Sequence, residues 1–80
     1  MRLPRDVSGS NLAMSLRVLG YEITRQTGSH IRVTTAEKGV YHITIQNHKP
    51  VRIGTLASIL EEISEHFQIS REELMLRIQI

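Results

Sequence analysis

Thr27-Gly28-Ser29-His30-Ile31-Arg32-Val33-Thr34-Thr35-Ala36-Glu37-Lys38-Gly39-Val40-Tyr41-His42-Ile43-Thr44-Ile45-Gln46 is the stretch on which the fold turns. Ile31 and Val33, then Tyr41, Ile43 and Ile45, alternate with polar residues, the period of two that marks a strand with one buried face. Tyr21 and Ile23 repeat the pattern upstream, so three short strands are predicted. Thr27-Gly28-Ser29 and Glu37-Lys38-Gly39 separate them, each reading as a three-residue loop with a glycine, a common hairpin connection. The sheet is expected to be antiparallel, buried on one side and wet on the other.

The loop lengths set a register. Closing the second loop between residues 36 and 40 puts His30 opposite Gln46, Arg32 opposite Thr44 and Thr34 opposite His42. Closing the first between residues 26 and 30 places Gln26 beside His30. The wet face then carries Glu22, Thr24, Gln26, His30, Arg32, Thr34, His42, Thr44 and Gln46. His30 stands at the mouth of the central strand between Gln26 and Gln46. His42 lies about four residue steps of ~3.3 Å away, too far for a two-histidine catalytic pair.

On either side of these strands the period becomes helical. Leu12, Leu16 and Leu19 form a core-facing stripe, with Ser8 or Ser10 as N-cap and Gly20 as the left-handed stop, which predicts a helix over residues 8–19. Leu56, Ile59, Leu60, Ile63 and Phe67 form a second stripe behind Gly54-Thr55, with Thr55 as its expected cap. Ser70-Arg71-Glu72-Glu73 is a capping-box pattern opening a short third helix through Leu74 and Ile78, although Leu74, Leu76, Ile78 and Ile80 also alternate as a strand would. The order α-β-β-β-α with a further short C-terminal helix is that of an α+β sandwich of the double-stranded-RNA-binding-domain type.

Composition bounds the classes. With 80 residues the chain is expected to form one domain, residues 1–80. It has no cysteine, so neither a disulfide framework nor a thiolate metal site is available. No apolar run approaches a membrane-spanning length and Met1–Asp6 lacks a signal-peptide core, so a cytoplasmic protein without a membrane is expected. Residues 1–60 carry a net +5 and residues 61–80 a net −3. A basic body with an acidic end fits a polyanion-binding surface facing one way, and equally a solvated helix with acidic turns.

The chemistry-bearing residues converge on the strand mouth. Asn47-His48-Lys49-Pro50-Val51-Arg52-Ile53-Gly54-Thr55 is expected to return over His30. Lys49, Arg52 and the helix-start amides of Gly54 and Thr55 suit a phosphate, because free N–H groups and the helix dipole favour an anion. Histidine, with an unperturbed pKa of about 6.5, takes and gives protons near neutrality. No His/Asp/Glu cluster has metal-ligand spacing, no phosphate-cradling glycine loop is present, and no Ser/His/Asp order stands out. Tyr21 and Tyr41 fall on the buried parity and Phe67 on a helix stripe, leaving no aromatic platform for single-stranded bases. His66, among Glu61, Glu62 and Glu65, reads as a surface residue.

Leu3-Pro4-Arg5, the helix end Leu19-Gly20-Tyr21-Glu22, the string Arg25-Gln26-Thr27-Gly28-Ser29-His30, Ile45-x-x-His48 and Gly54-Thr55-Leu56-x-x-Ile59-Leu60 together resemble the HicA family of mRNA interferase toxins over roughly residues 2–78. The resemblance implies the double-stranded-RNA-binding-like fold, cleavage of mRNA without a metal ion or cofactor, and neutralisation by a HicB antitoxin. It places the catalytic histidine at His30 and a recurrent second histidine at His48. Arg25, Gln26, Gly28, Ser29, Arg32, His48, Lys49, Arg52, Gly54 and Thr55 become the candidate RNA-contacting residues. Chemically, such cleavage needs a base for the 2′-hydroxyl, an acid for the leaving oxygen and cations for the phosphorane charge. A non-catalytic RNA-binding module and a protein-interaction partner of the same fold are the competing readings. The chain departs from the family pattern by Arg52-Ile53 before Gly54-Thr55-Leu56 and by the long stretch Glu61–Gln68. Its tail Met75-Leu76-Arg77-Ile78-Gln79-Ile80 reads as a surface for self-association or for a partner.

Overall fold

A computed structural model describes residues 3–80. Arg2, counted in the charge of the first sixty residues, lies outside the described residues. The chain runs α1 (Gly9–Ser15), a 3₁₀ turn (Leu16–Leu19), β1 (Glu22–Thr27), β2 (His30–Thr35), β3 (Tyr41–Gln46), α2 (Ile53–Phe67) and α3 (Arg71–Ile78). This is the expected α-β-β-β-α arrangement with an added C-terminal helix.

Leu12, Leu16, Leu56, Leu60, Ile63 and Leu74 of the helical layer bury against Ile31, Val33, Ile43 and Ile45 of the sheet. Each such side chain withdrawn from water contributes roughly 1.5–3 kcal/mol before conformational entropy is subtracted. Ser8 caps α1, its hydroxyl accepting from Asn11 N at 3.1 Å. The first helix stays α only to Ser15 and then tightens to 3₁₀, ending at Gly20 with φ 85°. A side chain at Gly20 would also meet Glu37 Cγ at 2.7 Å and Thr35 Oγ1 at 3.0 Å. Thr35 is buried, donating its hydroxyl to Leu19 O at 2.9 Å and accepting from Glu37 N at 3.1 Å. The bond to Leu19 ties the end of the first helical segment to the end of β2, and the bond from Glu37 fixes the start of the following loop.

Two helix starts differ from the sequence expectation or refine it. Thr55 is not the cap of α2: the helix opens at Ile53 with Arg52 as N-cap and no side-chain capping bond. Ser70 does cap α3, accepting from Glu73 N at 3.0 Å, while the Glu73 carboxylate turns to Arg77 rather than back to the cap. The tail is helix and not strand. Ile78 is buried, Met75 and Ile80 are half-buried against the core, and Leu76 is exposed.

The sheet order is β1-β2-β3, antiparallel throughout. Between β2 and β3 the register is the expected one, with His30 opposite Gln46, Arg32 opposite Thr44 and Thr34 opposite His42. Between β1 and β2 it holds only for Glu22 opposite Thr34 and Ile23 opposite Val33. From there Thr24 is an extra residue, a β-bulge, and Arg25 faces Arg32, Gln26 faces Ile31 and Thr27 faces His30. The expected three-residue loop is thus a two-residue turn, Gly28-Ser29, with Gly28 at φ 55° in the first position. A shorter turn and an added bulge residue offset each other, which is why the far half of the hairpin kept its register. Ile23, assigned to the buried parity, is exposed, because the first helix packs on β2 and β3 and leaves β1 in solvent along its whole length.

Candidate functional site

The uncovered face of the sheet is built by parity from β2 and β3. Ile31, Val33, Ile43 and Ile45 point into the helical layer, so His30, Arg32, Thr34, His42, Thr44 and Gln46 point away from it. The bulge decides what β1 adds. Cross-strand partners share a face, so Arg25 joins Arg32 and Thr27 joins His30, whereas Gln26, opposite buried Ile31, turns to the other side. Gln26 therefore does not flank His30. Thr27 takes its place.

Arg25, Thr27, His30, Arg32 and Thr44 line a shallow groove of about 310 Å³. His30 is exposed and forms no side-chain hydrogen bond among the described residues, leaving both ring nitrogens to solvent or to a ligand. Arg25 and Arg32 lie directly opposite each other, and neither belongs to the ion pairs among the described residues, Arg71–Glu61 and Arg77–Glu73. Arg32 is half-buried, and its Nε is out of solvent without a hydrogen-bond partner. Two arginines opposite each other on adjacent strands, both lining an open groove, give it a local positive field suited to an oxyanion such as phosphate.

At the other end of the same face, Thr24 and Thr34 share a hydrogen bond of 2.8 Å and Thr34 contacts His42 Nδ1 at 2.8 Å. His42 is thus engaged in a hydroxyl chain and lies outside the groove, as its register position requires. Among the described residues no group of three or more His, Cys, Asp or Glu could hold a metal ion.

The loop after β3 does not close over His30. Asn47 N donates to Ser29 O at 2.6 Å, but the chain then turns toward the helical layer: His48 O accepts from Gly9 N at 3.0 Å, and Val51 N donates to Val7 O at 2.7 Å. Burial of Val51 and the close approach permitted by Gly9 pull it there. Consequently His48, Lys49, Arg52, Gly54 and Thr55 are exposed but do not line the groove. Gly28 and Ser29 form the turn leading into His30 and do not line the groove either.

His66 is not the free surface residue expected from its acidic neighbours. Its Nε2 lies 2.9 Å from Glu37 O and 3.1 Å from Gly39 O, so it donates to the β2–β3 loop. The ring stacks on Tyr41 with centroids 4.8 Å apart and meets Phe67 edge-on at 5.0 Å. Tyr41, half-buried, donates its hydroxyl to Glu62 Oε1 at 2.7 Å, and this bond, then burial, raises the phenol pKa. The association depends on α2 crossing the hairpin end, which no one-dimensional period reports.

No helix among the described residues is long and apolar enough to cross a membrane. No curated protein and no solved structure matches the chain. The family model for the HicA toxin of bacterial toxin-antitoxin matches residues 10–64, from the first turn of α1 through most of α2 and across the whole sheet with its groove. That is more than half of the sequence, and the chain belongs to the HicA toxin family.

Proposed function

We propose that residues 1–80 act as a single HicA-like domain that cleaves mRNA without a metal ion, in the cytoplasm, as the toxin of a toxin–antitoxin pair. The observation that supports this most is the exposed His30, without a side-chain hydrogen bond among the described residues, lining a groove together with the facing Arg25 and Arg32. In this reading the imidazole of His30 takes the proton from a ribose 2′-hydroxyl as that oxygen attacks the adjacent phosphorus. The bond from phosphorus to the 5′-oxygen breaks, leaving a 2′,3′-cyclic phosphate, and the departing oxygen takes a proton from water. Arg25 and Arg32 lie against the non-bridging oxygens, where charge builds in the transition state. Gly28, Ser29 and Thr27 leave the backbone room to pass, while His48, Lys49, Arg52 and the amides of Gly54 and Thr55 contact phosphates farther along the strand. A HicB-type antitoxin would neutralise the toxin by covering this basic face.

The test is cleavage of an end-labelled oligoribonucleotide by the purified chain in the presence of a chelator. His30→Ala should lower the rate by about 100-fold or more, the scale of a lost acid–base group. Because the ring is exposed and has no hydrogen bond among the described residues, the same variant should melt within about 4 °C of wild type, as surface substitutions do. RNA that stays intact with wild type while still binding would make this a non-catalytic RNA-binding module. Neither binding nor cleavage would leave a protein-interaction role.

A further inference from the structure

Beside the groove lies a junction that the groove residues themselves do not explain. Asn47 N donates to Ser29 O at 2.6 Å, adding a rung to the ladder one step past His30 and Gln46. The Asn47 side chain reaches the other way: its Oδ1 accepts from Ser10 N at 3.1 Å and from Ser10 Oγ at 3.0 Å. Next to it, Gly9 N donates to His48 O at 3.0 Å. The contact is so close that a Cβ on Gly9 would stand 2.6 Å from Gln46 O and 2.7 Å from Asn47 Cα. One half-buried residue therefore joins the first turn of α1 to the carbonyl immediately before His30.

The turn carrying that histidine is otherwise held by the pairing of Thr27 with His30 and of His30 with Gln46. Apart from its two chain neighbours, no described residue comes within 4 Å of the place a Cβ would take at Gly28. End rungs of a ladder open more readily than central ones, since they have a neighbour on one side only. We infer that Asn47 is a positioning residue for His30: its side chain anchors residue 47 to α1, and its N–H then holds the Ser29 carbonyl and the backbone entry into His30. This rests on the reading of His30 as the acid–base group. Asn47 does not line the groove and acts through Ser29. A displacement of the reacting group by about 1 Å is enough to cost up to ~100-fold in rate.

The experiment compares Asn47→Ala and Asn47→Asp, the latter retaining an oxygen acceptor for Ser10. Asn47→Ala should lower the saturating cleavage rate by roughly 10-fold while the half-saturating RNA concentration stays within about twofold, the signature of an interaction felt in the transition state and not in binding. Asn47→Asp should recover most of that rate. Hydrogen exchange of the backbone amide at position 47 should quicken by about 10-fold in Asn47→Ala after correction for the intrinsic rate of each residue, with the amides of Ile31 and Val33 little changed. An unchanged rate despite faster exchange overturns the inference, as does a raised half-saturation at constant rate or a failure of Asp to restore the rate. If Asn47→Ala does not fold, Ser10→Ala removes one of the two bonds and should give a smaller loss in the same direction; no loss there overturns it equally. Wild type that leaves RNA intact, or His30→Ala that still cleaves, refutes the catalytic reading instead. The exchange rates then still decide whether Asn47 holds the turn.

Discussion

Arg25 and Arg32 face each other across β1 and β2 without a carboxylate partner among the described residues, so their juxtaposition works against the free protein. Cross-strand pairs on one face of a sheet carry roughly 0.2–1 kcal/mol, unfavourable when the charges are alike. Solvent exposure of Arg25 places this pair toward the low end, so Arg25→Gln should stabilise the fold by about 0.2–0.5 kcal/mol. In a domain of this size that is a rise in Tm of about 1–4 °C. Binding should move the other way. Each phosphate contact on single-stranded RNA contributes ~0.7 to the slope of log K against log salt, so the slope for Arg25→Gln should be shallower by about 0.7. Across a fourfold change in salt, wild type then loses about 2.6-fold more affinity than the variant. Fluorescence anisotropy over a NaCl series, with a 2′-O-methyl oligoribonucleotide that cannot be cut, measures the slope, and calorimetry measures Tm. Lys38→Gln, at the opposite hairpin end, serves as a control that should leave the slope unchanged. A lower Tm for Arg25→Gln together with an unchanged slope would refute the reasoning, because the arginines would then support the sheet and not a ligand.

Two further outcomes test the core. Tyr21 is buried and its hydroxyl has no hydrogen-bond partner among the described residues, so Tyr21→Phe should be neutral or stabilising by up to about 1 kcal/mol in urea melts at pH 7. Burial, with smaller contributions from Tyr41 and Glu62, pushes the Tyr21 phenol pKa up. The stability this gives is complete below the ordinary value of about 10 and falls as pH rises above it, so the variant should gain on wild type when the melts are repeated near pH 10.5. Gly20→Ala combines the left-handed φ of 85° with the clash against Glu37 Cγ and should cost about 1–2 kcal/mol, seen as a lower Tm. Gly39→Ala, at φ 99° in open space, should cost less.

The β2–β3 hairpin was legible because its two strands alternate strictly and its five linking residues, 36–40, keep the same faces together. Ser8, Gly20 and Ser70 were legible for the same kind of reason, since capping chemistry is local. What escaped was non-local. The Gly28-Ser29 turn and the Thr24 bulge compensate each other, and alternation counted from Tyr21 carries no mark of an inserted residue. That single offset exchanged Gln26 for Arg25 and Thr27 at the groove. His48 and its loop were misplaced because their path depends on Gly9 and Val7, forty residues earlier in the chain. Asn47 offered only a side chain common in turns, and His66 only a position on a helix face.

β1 has a further consequence for how the molecules coexist at high concentration. It is a strand in solvent on both faces and along its outer edge, the form that recruits a neighbour's strand and seeds sheet-to-sheet stacking. The bulge at Thr24 interrupts the regular spacing of free N–H and C=O groups, and the Arg25 charge beside it repels an identical strand. The feature that turns a cation toward the groove therefore also hinders copies of the chain from templating one another, and neutralising Arg25 would weaken that protection.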